Sequence, residues 1–113
     1  MHERGAPHVI DPSKLITSAN QLWGVEGVAR LWGAALPVPE SNVTVLRGGE
    51  KLDVVGRLFE VAYTPGHATH HVSYFDRAAR LAWVGDTVGV RFGDVLFSLP
   101  PTPPPDIDVE AWY

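Results

Sequence analysis

Apolar residues recur at two periods along this chain, and the change of period near residue 42 divides it. Leu15, Ile16, Ala19, Leu22 and Trp23 fall three and four residues apart, the spacing of one helical face. Asp11-Pro12 ahead of them reads as a helix start, with Asp at the N-cap and Pro at the first helical position. Gly24 ends that helix. Val28, Leu31 and Trp32 predict a second short helix over residues 25–35, stopped by Pro37 and Pro39. Met1 to Val9 has no period and contains Gly5 and Pro7, so it reads as a loop.

From Asn42 the period becomes two. Val43 and Val45 alternate with polar residues, Gly48-Gly49 marks a turn, and residues 51–55 and 57–63 read as strands joined at Gly56. Residues 71–75 predict another strand and 76–80 a polar turn. Residues 81–84 form a short, wholly apolar strand of the kind buried on both faces. Residues 88–92 and 95–99 predict a further hairpin around Gly93-Asp94. Pro100 to Pro105 is a proline-dominated linker, and Asp106 or Asp108 then caps a helix that has barely begun at Tyr113. The pattern predicts one partial α+β domain over residues 1–113. Two N-terminal helices occupy 1–40, a mainly antiparallel, strand-rich segment 41–99, and the linker with the start of a helix 100–113.

Composition removes several chemistries. There is no cysteine, so disulfides, thiolate nucleophiles and Cys-based zinc sites are excluded together. The absence fits a cytoplasmic location. Net charge is −4 and the cationic residues are scattered, which argues against a nucleic-acid partner. No apolar run approaches the roughly 18 residues of a membrane span, so no membrane partner is expected. Hydrophobic residues at 45%, with four Trp, suffice for a core in a chain of 113 residues.

Two loops carry the candidate chemistry: Thr64-Pro65-Gly66-His67-Ala68-Thr69-His70-His71, and Val84-Gly85-Asp86. If strands 57–63, 71–75 and 81–84 form an up-down-up meander, the first and third run the same way. His67 and Asp86 each lie just past one of those strand ends. Both then emerge at one edge of the sheet, near enough to share an ion. Imidazole and carboxylate donors without sulfur suit Zn²⁺ first, with Mn or Fe as alternatives. Bland readings stand beside this one. A Gly-Asp after a strand is often an ordinary turn, and three histidines within five residues can be a surface tract. His71 begins a strand, where a structural hydrogen bond is its expected role, and His70 is expected to face solvent or to support the site from outside. His2 and His8 read as surface residues. A catalytic zinc takes three protein ligands, and these two supply only part of a set. Glu3, Glu40 and Glu50 are further oxygen donors only in principle.

Taken together these pieces resemble the metallo-β-lactamase superfamily of metallohydrolases. The matching elements are strand-Thr-Pro-Gly-His-x-x-x-His-strand at 64–71 and apolar strand-Gly-Asp at 81–86. The upstream segments Glu3 to His8 and Asp11 to Leu15, and the linker Pro100 to Asp106, are similar to one bacterial branch of that family. The resemblance implies part of an αββα sandwich with a dinuclear metal site at one edge. His67 would be a ligand of one metal, Asp86 the carboxylate bridging both, and His71 a structural histidine. It assigns no catalytic residue and no organic cofactor site. The family's main signature, His-x-His-x-Asp-His, has no match here. The expectation is of a chain that begins and ends inside a longer family template.

Two functions follow. In one, the chain is a fragment or subunit of a metallohydrolase. Once a homo-oligomer or complementing chain supplies the missing ligands, it hydrolyses an ester, thioester, lactone or amide of a small molecule by metal-bound hydroxide. A self-complementing homodimer has no sequence feature in its support. In the other, it is a catalytically inactive truncated homologue that folds as an oligomer or interaction module, its Trp residues partly outward and driving association. An isolated monomer is expected to be inactive under both.

Overall fold

Pro7 opens the first helix rather than breaking the chain. The computed structural model describes residues 1–102 and 106–113, so Pro103 to Pro105 of the expected linker lie outside the described residues. Helix α1 spans Ala6–Ile10 with Pro within its first two positions. This corrects the loop expected over Met1 to Val9: a helix's first N–H groups have no partner, so a Pro there loses nothing. Asp11 closes α1, its N–H donating to Pro7 O at 2.9 Å. Its carboxylate accepts the Ser13 N–H at 3.1 Å, at the start of α2 (Ser13–Trp32). The Ser13 side chain first, and then this N–H, holds the Asp11 carboxyl below the usual carboxylate range.

Helix α2 is two helical stretches. Gly24 has φ 73° and ψ 160°, outside the helical region, so it breaks the run where the sequence places a break. The second stretch ends at Trp32 and not at Ala35, because Gly33 already has φ 69°. A Glu40–Asn42 3₁₀ turn follows. The alternation of Val43 and Val45 does not become a strand. Four residues of period two carry no ladder without a neighbouring strand to pair with. These elements belong to one compact unit, Met1 with Glu3–Val45. Ala6, Ala19 and Val28 are buried, whereas Leu22, Trp23, Leu31 and Trp32 of the predicted apolar faces stay largely exposed.

The second unit, His2 with Leu46–Tyr113, holds the sheet. Strands β1 (Lys51–Val54), β2 (Arg57–Tyr63), β3 (Val72–Asp76) and β4 (Leu81–Trp83) pair antiparallel in the order β1-β2-β3-β4. This is the expected meander. The β1–β2 turn is Val55-Gly56, with φ of 53° and 76°. Val55 is therefore a turn residue rather than the end of a strand. The register sets Leu52 beside Phe59, Val61 beside Tyr74 and Tyr74 beside Trp83, so these side chains share one face. Arg57 lies over the Phe59 and Trp83 rings at 5.3 and 5.5 Å and donates to Asp76 Oδ2 at 2.7 Å.

Strand β4 overturns one expectation. Its apolar run is not buried on both faces: Leu81 is 52% and Trp83 43% exposed. Among the described residues β4 pairs only with β3 and forms an edge. His2 overturns another, because it is buried and stacks on Tyr63 at 4.6 Å. The hairpin expected over 88–99 reduces to one antiparallel bridge, Val90 to Leu99. Asp108 does cap the last helix, α3 (Val109–Trp112), accepting the Ala111 N–H at 3.0 Å. The fold is α+β, a few helices with a four-stranded antiparallel sheet, consistent with part of an αββα sandwich. No helix among the described residues is long and apolar enough to cross a membrane.

Candidate metal centre

Antiparallel pairing of β2 to β3 and of β3 to β4 makes β2 and β4 run the same way. His67 follows the end of β2 and Asp86 the end of β4, in the 3₁₀ turn Gly85–Val88. The two side chains meet, with His67 Nε2 lying 3.2 Å from Asp86 Oδ2. The imidazole is mostly buried and the carboxylate half exposed, so the pair opens to solvent on the aspartate side.

The other imidazole nitrogen fixes the chemistry of the first. His67 Nδ1 lies 2.9 Å from the carbonyl oxygen of Pro101. A carbonyl only accepts, so Nδ1 carries the proton and donates. In the neutral ring Nε2 then presents a lone pair to a carboxylate oxygen. Two acceptors facing each other at this distance need a cation between them or a proton on the ring. A histidine whose second nitrogen donates to a backbone carbonyl is the usual arrangement of a metal-ligating imidazole. The linker thus supplies the carbonyl that orients His67.

His71 serves the neighbouring turn instead. Its ring stands edge-on to that of His67, centroids 6.1 Å apart. Thr64 Oγ1 and Thr87 Oγ1 lie 2.8 and 2.9 Å from His71 Nδ1. On the far side Nε2 sits 2.7 Å from where a Cβ at residue 85 would be. The close approach that Gly85 permits is therefore to this ring. Burial first, then the nearby His67, holds His71 below the ordinary imidazole range. The ring is thus held by two threonine hydroxyls of the neighbouring turns. His70 sits between them in sequence, half-buried in the turn before β3.

Trp112 and the backbone of Asp108 tie the loops together. Trp112 packs its Cβ against Gly66, where an added Cβ would come within 2.6 Å. Its Nε1–H donates to Thr87 O at 2.7 Å, and its ring meets that of His67 edge-on at 6.1 Å. One side chain thus touches the loop carrying His67 and the turn carrying Asp86. The Asp108 N–H adds a bond to Gly66 O at 2.8 Å. The one sequence signal was a Trp placed four residues after a capping Asp, which says nothing of what the ring touches.

The donor set stays small. Among the described residues, no three His, Cys, Asp or Glu side chains converge to hold a metal ion. His70 and His71 do not join the pair as donors. Glu50, an oxygen donor in principle, spends its carboxylate on the Arg47 and Gly48 N–H groups at 2.6 and 2.8 Å.

Comparison with known proteins identifies the family. The family model described as the metallo-beta-lactamase superfamily matches residues 1–113. The chain is 32% identical over 80 residues to the metallo-beta-lactamase fold-containing protein ST1585 of Sulfurisphaera tokodaii, covering 71% of this chain and 29% of that protein. It is 34% identical over 61 residues to hydroxyacylglutathione hydrolase of Pseudomonas aeruginosa, covering 53% of this chain and 24% of the hydrolase. The crystal structure of ST1585, from Sulfolobus tokodaii, superposes with a TM-score of 0.76 at 27% identity, over 98% of this chain and 42% of that one. The chain spans less than half the length of each of these proteins. With the match running from the first residue to the last, the chain belongs to the metallo-beta-lactamase superfamily.

Proposed function

We propose that His67 and Asp86 are this chain's share of a metal centre that hydrolyses a small-molecule ester, thioester, lactone or amide. The observation carrying this reading is the facing pair of acceptors. A tetrahedral zinc with ligand distances of ~2.0–2.2 Å sets its donors roughly 3.3–3.6 Å apart, and the pair stands just under the lower end of that range, at 3.2 Å. The donor types, imidazole and carboxylate without sulfur, fit Zn²⁺, with Mn and Fe as alternatives. When bound, such an ion makes hydroxide available near neutral pH and polarises a carbonyl.

The chain's own residues set up that chemistry. Pro101 O fixes the tautomer of His67, so in the neutral ring it is Nε2 that keeps its lone pair for a metal. Trp112 holds the two loops at their observed spacing. His71, through Thr87, fixes the turn that aims Asp86. The remaining ligands come, in this proposal, from a second copy or a complementing chain. Similarity to a hydroxyacylglutathione hydrolase supports hydrolysis as the reaction class.

A second reading, an inactive homologue acting as an interaction module, draws on the open apolar sheet face of Leu52, Val54, Phe59, Tyr74 and Trp83. Calorimetric titration with Zn²⁺ separates the two. The metal-centre reading expects His67→Ala and Asp86→Asn each to weaken zinc binding at least tenfold with the fold retained. Zinc affinity unchanged in both variants overturns it.

A further inference from the structure

We propose that the cavity beside the His67–Asp86 pair is an acyl pocket, taking an apolar, uncharged acyl arm of the substrate. This rests on the reading of that pair as metal ligands. The cavity measures about 290 Å³ and its walls include Thr87, Val88, Pro100, Ile107, Val109 and Trp112.

Its place follows from those residues. Thr87 directly follows Asp86. Pro100 precedes Pro101, whose carbonyl orients His67. Trp112 meets the His67 ring edge-on. Neither His67 nor Asp86 lines the cavity, but Trp112 meets one of them and Thr87 adjoins the other, so a group seated there extends towards the pair.

The chemistry of the occupant follows from the lining. Among the described residues no side chain of the walls carries a carboxylate, ammonium or guanidinium group. A charged arm would lose its hydration there and gain no partner, whereas an alkyl arm gains by leaving water. Whole small-molecule sites run from roughly 300 to 1,000 Å³. A cavity at or below the lower end takes one arm of a substrate and leaves the reacting carbonyl outside, next to His67 and Asp86.

The test is a ¹H–¹⁵N titration of the zinc-supplemented 113-residue protein with butanoate, hexanoate and octanoate, following the four Trp indole signals. Trp112→Phe assigns the relevant one. The pocket predicts a saturable shift of the Trp112 signal, with affinity rising about fourfold per added methylene. It also predicts that Val88→Asp, at a position 62% exposed and so tolerant of charge, abolishes the shift. Val109→Asp serves if that variant fails to fold. Affinity flat in chain length overturns the pocket. So does a shift confined to Trp83 on the open sheet face. Zinc uptake without a Trp112 response defeats the pocket and leaves the metal reading intact. A chain-length response without zinc uptake leaves a cavity for alkyl chains and overturns its assignment to a hydrolytic centre.

Discussion

The indole of Trp112 donates its Nε1–H to the carbonyl of Thr87 at 2.7 Å, which ties α3 to the turn presenting Asp86. The same residue fills the space left by the missing side chain of Gly66, one position before His67. A side chain near the end of the described chain therefore sets the spacing of two loops from the middle of it.

Trp112→Phe keeps an aromatic ring against Gly66 but leaves the Thr87 carbonyl without its donor. A net hydrogen bond contributes roughly 0.5–1.5 kcal/mol, so chemical denaturation is expected to show about 1 kcal/mol of lost stability. Zinc binding should weaken several-fold. Trp112→Ala loses the packing as well and should cost more on both measures. A Phe variant with the wild-type midpoint and zinc affinity would show that the clamp is idle.

Gly85→Ala tests the support of Asp86 from its other side. The new methyl would come within 2.7 Å of His71 Nε2, and the backbone there has φ of +49°. Left-handed strain costs on the order of 1–3 kcal/mol. Melting should show that loss, and the displaced turn should cost zinc affinity at least as much as Trp112→Phe does. Full zinc affinity in a folded Gly85→Ala protein contradicts the positioning role given to His71.

Val55 offers a gain instead of a loss. It is a β-branched residue at φ 53°, fully exposed in a two-residue turn, where Asn or Gly is favoured. Val55→Asn is expected to stabilise the protein by roughly 0.5–1 kcal/mol, read as a raised melting temperature. An unchanged or lowered melting temperature refutes the turn geometry.

Acid stability should depend on Asp76. The Ala79 N–H foremost, then Arg57, holds its carboxyl below the usual carboxylate range. A carboxyl whose folded pKa is depressed contributes stability present above its unfolded pKa, near 3.9. That contribution is lost as pH falls below about 4 towards the folded value. Asp76→Asn should be less stable than wild type at pH 7, and the gap should narrow below about pH 4. Parallel stability curves for the two proteins down to pH 2 would contradict this.

The meander and the meeting of His67 with Asp86 were legible in the sequence because both follow from local rules. Period-two runs mark strands, short turns make neighbours antiparallel, and two such steps bring the first and third strand ends to one edge. The break at Gly24 and the Asp108 cap were legible for the same reason. What escaped was set by tertiary partners. An apolar strand looks the same whether it is central or at an edge, so the exposure of Leu81 and Trp83 could not be read. His2 looked like a surface residue because its partner, Tyr63, lies 61 positions away. Gly85-Asp86 was legible as a turn, but only the structure shows the His71 ring packed against Gly85. The roles of Pro101 and Trp112 are contacts between distant segments, and no spacing rule reaches them.

The central claim is that this chain holds a metal ion between His67 and Asp86, with the remaining ligands supplied by association. Native mass spectrometry of the 113-residue protein, with and without added Zn²⁺, reads stoichiometry and assembly together. The account predicts a defined oligomer retaining one or two zinc ions per site, and loss of that zinc in His67→Ala. A protein that takes up no zinc in any assembly state would contradict it.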